Sequence, residues 1–235
     1  MSNLTVSELM SRLAYGELSN LKMGDIGGGA IRAENVPAVL MQINKALKDI
    51  YSRFLLSSRE VIINTTTSIT HYYLRREFAL SNTESTQDTL YLDDSAGDPF
   101  DGRIVKILAV YDAFGRQLFM NKQNEPLSVF TPEYDCVQIT AGHQAEQFFV
   151  VYQALHPVVT LSPDSIIYIP PSLENSLVLL TASKIFEGIS GPANASRSAI
   201  LHQQYEASLL MAEIRDTAST SENMSNSKLD QAGFI

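Results

Sequence analysis

Residues 166–215 constrain the fold more than any other stretch; they read IIYIPPSLENSLVLLTASKIFEGISGPANASRSAILHQQYEASLLMAEIR. A short apolar strand runs into Pro170-Pro171 and gives way to two helices joined at Gly188–Pro192. Ser172 is the expected N-cap of the first helix, because its hydroxyl can accept an orphan N–H of the first turn. Glu174 then stands where the helix dipole favours a carboxylate. The run LVLLTASKIF has almost no polar face, so this helix must be covered on most sides. Gly188 is the expected left-handed residue at its end, and Pro192 the opening of the second helix. The second helix carries Leu201, Tyr205, Leu209 and Ala212 on one side. Ile200, Ala207, Met211 and Ile214 lie on an adjacent side. The pair should form the floor on which the rest packs.

The chain before it changes character twice. Residues 5–19 predict a helix: Thr5 and Glu8 have capping-box spacing, and Leu9 and Leu13 recur at helical intervals. The GDIGGG segment at 24–29 lacks the Lys-Ser/Thr and the preceding strand of a phosphate-binding loop, and is read as a connector. Residues 35–56 predict a long helix with Pro37 in its first turn and an apolar stripe at Val39, Ile43, Leu47, Ile50 and Phe54. From Val61 the period becomes that of strands. VIINTTTSIT at 61–70, continued through 71–74, is rich in β-branched residues. Further strands are expected at 104–111, 116–120, 126–130, 136–140, 148–155 and 166–169, with a hairpin turn at 112–115. The fold class is therefore α+β: helices at about 5–19, 35–56, 172–187 and 193–216, with an inserted antiparallel β-domain. The domains follow as 1–57 with 170–216, helical; 58–169, the β-insert; and 217–235, an extended polar tail.

Composition excludes several functions. Acidic residues number 26 against 17 basic ones, a net charge of −9, so a broad basic face for nucleic acid is not expected. Cys136 is the only cysteine, which leaves no intrachain disulfide and no cysteine-rich zinc site. The amino terminus lacks the basic and apolar regions of a signal peptide, and no run approaches the ~18 apolar residues of a membrane span, so a soluble intracellular product is expected. His71, His143, His156 and His202 form no helical metal pair. Asp93, Asp94, Asp98 and Asp101 are the most metal-like cluster. Pro99 and Gly102 beside them make a turn sufficient. No G-x-S-x-G is present, and Cys136 on a strand reads as a small core residue. Neither a metal, a cofactor nor a catalytic residue is assigned, and the chain is not expected to be an enzyme.

The segments NVPAVLMQINKALKDIYSRF, DGRIVKILAVYDAFGRQLFMNK, YIPPSLENSLVLLTASKIFEG and QQYEASLLMAEI, in this order around a β-insert, carry a likeness. Over residues 5–216 the chain resembles the head-to-tail adaptor proteins of short-tailed bacteriophages, the group that includes tail tubular protein A. The resemblance implies a structural virion protein, made in the host cytoplasm. Its partners would be other copies in a ring of twelve, the portal above, and nozzle or tube proteins below. Genomic DNA would pass through the channel unbound, and an acidic wall suits that passage. Position maps the tail at 217–235 onto the portal-reaching segment, with Leu229, Phe234 and Ile235 as docking residues. Two alternatives come from other classes. One is a muramidase-like tail enzyme that degrades peptidoglycan with paired carboxylates; the other is a carbohydrate-binding β-module displaying tyrosines.

Overall fold

The structure is a computed structural model and describes residues 2–21, 31–95, 97–125, 127–139, 147–162 and 165–214. The fold is α+β and divides into two compact units. One contains residues 1–56 and 156–235; the other, 57–155, is inserted between its halves.

In the first unit, β1 (Ser2–Thr5) leads into α1 (Val6–Tyr15), and α2 (Val36–Arg53) follows. After the insert come β9 (Ile166–Ile169), α3 (Pro171–Glu187) and α4 (Pro192–Ile214). The helix α3 is buried nearly all round, as its lack of a polar face requires, and packs against α1, α2 and α4. Small hydroxyls let α3 and α4 approach: Ser176 Oγ lies 2.7 Å from Ser208 Oγ, and Ser183 Oγ donates to the Ser198 carbonyl at 3.1 Å. The expected stripe on α2 is buried from Val39 to Phe54.

Several local expectations are corrected. Ser172 does not cap α3; Pro170 holds the N-cap position and Pro171 is the first helical residue. A proline there loses nothing, since its missing N–H would have been an orphan donor. Gly188 is not left-handed (φ −74°), and the positive φ of this connection, 122°, sits at Gly191. At α1, Thr5 does cap the helix by accepting from the Glu8 N–H at 3.1 Å. Glu8 then turns outward to Arg12 instead of closing a reciprocal box.

The strand β9 does not close the inserted β-series. It pairs antiparallel with β1, from Ser2↔Ile169 to Thr5↔Ile166. Leu4 and Ile167 stand opposite each other in this pair, and both are buried. The outer edge of β9 is closed by side chains: Tyr51 donates to the Tyr168 carbonyl, and the Tyr168 N–H donates to His156 Nε2 at 3.0 Å.

The inserted unit contains β2 (Ser58–Asn64), β3 (His71–Tyr73), β4 (Leu92–Asp93), β5 (Ile104–Tyr111), β6 (Phe130–Glu133), β7 (Cys136–Gln138) and β8 (Gln147–Ala154). One sheet runs β4-β2-β8-β5 and a second β3-β7-β6, with every strand pair antiparallel. Val61, Ile63, Tyr72, Tyr91, Phe148, Val150 and Tyr152 build its core. The expected strand at 61–70 stops at Asn64 because the next residues fold around a phenol. The Tyr72 hydroxyl accepts from the Thr66 N–H at 3.0 Å and lies 2.8 Å from the Ile69 carbonyl. The expected strand at 116–120 is not formed either; only isolated bridges at Gln117 and Met120 remain. Its backbone changes partner midway: Leu118 donates to Val110, whereas the Phe119 carbonyl accepts from Val129. The expected strand at 126–130 lies further on, as β6.

Candidate functional site

Helix α4 is a surface helix that is apolar on two sides. Leu201, Tyr205, Leu209 and Ala212 turn inward and are at most 4% exposed. On the opposite side Ile200, Leu210, Met211 and Ile214 are about half exposed or more, rising to 69% at Ile214. Ile200, Ala207 and Ile214 recur every seven residues, with Leu210 three after Ala207. A seven-residue apolar repeat is the pattern of a seam that meets another helix. Single exposed apolar residues need no explanation, but a row of them along one side, interrupted here only at Gln203 and Gln204, marks an interaction surface.

One flank of this stripe is acidic. Glu206 and Glu213 both reach Arg53 on α2: Nη1 donates to Glu206 Oε2 at 2.8 Å and Nε to Glu213 Oε1 at 2.9 Å. Burial opposes the charge of Arg53, but these two carboxylates outweigh it and raise its pKa. Two carboxylates against one guanidinium leave the flank net negative.

The first unit holds a cavity of about 230 Å³ walled by Val6, Met10, Ile31, Val36 and Leu161 and rimmed by Ser7, Ser11 and Ser162. None of these side chains titrates, and the volume lies below the ~300–1,000 Å³ of ordinary ligand sites. Among the described residues no three His, Cys, Asp or Glu side chains gather to hold a metal ion. Asp94 of the acidic cluster is committed to its turn. Burial opposes its ionisation, yet hydrogen bonds from Ser81 and from the Phe100 N–H hold its pKa below the ordinary value. Cys136 is buried, and burial, with Glu133 and Asp135 nearby, pushes its thiol up to about 11; such a thiol is a poor nucleophile.

The histidines serve separate ends. His71 is exposed on β3 and contacts Thr70, His156 is buried beside Tyr51, and His202 is exposed on α4. His143 lies outside the described residues, as do the connector at 24–29, Leu229, Phe234 and Ile235.

In the inserted unit Tyr72, Tyr91 and Tyr152 are core residues, and Tyr134 is exposed at the turn between β6 and β7. Exposed aromatics instead sit on loops. Phe114, 83% exposed at the 112–116 turn, carries the Arg116 guanidinium 5.2 Å from its ring centre. Phe119 carries Lys122 in the same way at 4.3 Å. In the sequence the only sign of these pairs is a basic residue two or three positions after each Phe.

No protein-family model and no curated protein matches this chain. No helix among the described residues is long and apolar enough to cross a membrane.

Proposed function

We propose that this chain is a structural subunit of a short-tailed phage virion, a ring that joins the portal to the tail and surrounds the DNA exit channel. The observation that carries the reading is the outward apolar stripe of α4, opposite a face already buried. A chain with 18% charged residues and such a stripe is suited to lying between neighbours. The resemblance across residues 5–216 supplies the identity of those neighbours: further copies, the portal and the downstream tail proteins. The loops bearing Phe114 and Phe119 are suited to the downstream contacts, since aromatic residues and Arg are enriched at interfaces. The net charge of −9 suits a channel wall that DNA passes without adhering.

Native mass spectrometry tests this, on the chain alone and mixed with the portal ring of the same virion. The expected result is a closed oligomer of about twelve copies on the portal, since rings close through heterologous contacts. Deleting 217–235 should abolish portal association while the described core stays folded. A chain that remains monomeric with and without portal at every concentration overturns the reading.

A further inference from the structure

We infer that the outward stripe of α4 in one copy docks, antiparallel, on the outward face of α2 in the next copy. This rests on the ring reading and names the two surfaces that would form its subunit contact.

The counterpart is visible in the same unit. Ala38, Met41, Lys45, Lys48 and Ser52 are all exposed on α2 and follow one another at intervals of three, four, three and four. This is the spacing of a helix–helix seam. The stripe on α4, from Ile200 to Ile214, spans the same fourteen intervals as Ala38 to Ser52, about 21 Å at ~1.5 Å per residue. Lys45 and Lys48 have no acidic partner among the described residues. Their stems can cover apolar surface while the ammonium groups reach outward.

Charge selects the partner. If α4 met α4 of another copy, the acidic flanks with Glu206 and Glu213 would face like charge. The lysine-bearing face of α2 presents the opposite sign. Composition along the two stripes selects the direction. Antiparallel, with Lys45 opposite Ala207, the apolar end of α2 (Ala38, Met41) meets the apolar end of α4 (Met211, Ile214). Lys48 then falls opposite Gln204, near Glu206. Ser52 meets an isoleucine in either direction, but in the parallel one Met41 would meet Gln203 and Lys48 would meet Leu210. Two different helices form the two halves, so the contact is head-to-tail and can propagate from copy to copy.

The test is disulfide trapping in the full chain, because buried Cys136 does not compete for oxidant. The pair Met41→Cys with Met211→Cys should give a ladder of covalent dimers, trimers and higher species under mild oxidation, as facing cysteines require Cα atoms within about 7 Å. The parallel-register pair Met41→Cys with Gln203→Cys should give none. Lys45→Glu with Lys48→Glu should weaken self-association about 10-fold or more, with an unchanged circular dichroism spectrum, and Lys45→Arg with Lys48→Arg should retain it. Association unaffected by the double Glu variant, with no ladder from the first pair, overturns this interface and leaves the ring reading standing. A ladder from the parallel pair overturns the stated direction, and a product that stops at the dimer overturns the head-to-tail contact. A chain that never self-associates overturns both readings.

Discussion

Alkaline unfolding of the helical unit offers a sharp check on its packing, through Tyr51. Its side chain is 2% exposed, its hydroxyl donates to the Tyr168 carbonyl, and its ring meets that of His156 edge-on at 5.2 Å. Burial raises its pKa from 10.0 to about 12. The folded state thus holds this proton more tightly than the unfolded state does. The resulting stability is fully present below pH 10 and is lost as pH rises toward 12. Two units of pKa correspond to about 3 kcal/mol. Tyr205, 4% exposed on α4's inner side, is also raised to about 12, by burial first and then by Glu206 and Asp49. The two phenols act in the same direction, so alkali removes stability from this unit through both.

The assay is chemical unfolding at stepped pH, with tyrosinate followed by its ultraviolet absorbance. Tyr51→Phe should lower stability at neutral pH by about 1 kcal/mol, because the Tyr168 carbonyl loses its donor. The same variant should lose about 3 kcal/mol less between pH 10 and 12. The two stability curves therefore cross in alkali, with the variant the more stable above the crossing. If Tyr51 titrates at its ordinary pKa in the folded protein, or if Tyr51→Phe shows the parent's alkaline slope, the packing argument is wrong.

Three further outcomes follow from named contacts. Leu177→Ala in α3, a fully buried position, should cost about 2–5 kcal/mol in denaturant unfolding; a loss under 1 kcal/mol would mean that α3 is not enclosed on all sides. His156→Ala leaves the Tyr168 N–H without the ring nitrogen it meets at 3.0 Å, and should cost about 1–3 kcal/mol, measurable as a drop in melting temperature. Cys136, fully buried with its thiol near 11, should resist thiol reagents at neutral pH until the inserted unit unfolds; rapid labelling of the native protein would contradict its core position.

The sequence made the helical frame legible because its periodicities are strong and uniform. Val39 to Phe54 on α2 and the apolar run of α3 each allow one reading, and both are buried as expected. The strands were legible as composition but not as partners. Ile166–Ile169 has the same β-branched character whether it joins the inserted sheets or β1; only the buried side chains at Leu4 and Ile167 decide. The segments at 65–70 and 116–120 depart from their strand propensity for a different reason. There a single hydrogen-bonding group, the Tyr72 hydroxyl or the Phe119 carbonyl, competes with the ladder, and strand propensity does not register such competition.

The outward stripe of α4 exposes a subtler limit of sequence reading. A helix with one apolar side announces which way it faces, because its pattern sums to a direction. On α4 two apolar sides oppose each other, so the directions cancel, and the sequence displays both sides without showing which one is covered. Burial then separates them, with Leu201, Tyr205, Leu209 and Ala212 covered and Ile200, Leu210, Met211 and Ile214 left to solvent. The face of α2 was hidden by the opposite cause: Ala38, Met41, Lys45, Lys48 and Ser52 read one by one as an ordinary solvated side. What makes it a candidate surface is its even spacing and unpaired positive charge, set in the same unit as a stripe of equal length bordered by Glu206 and Glu213. Such a correspondence is a property of two surfaces together, and inspection of either helix alone cannot reveal it.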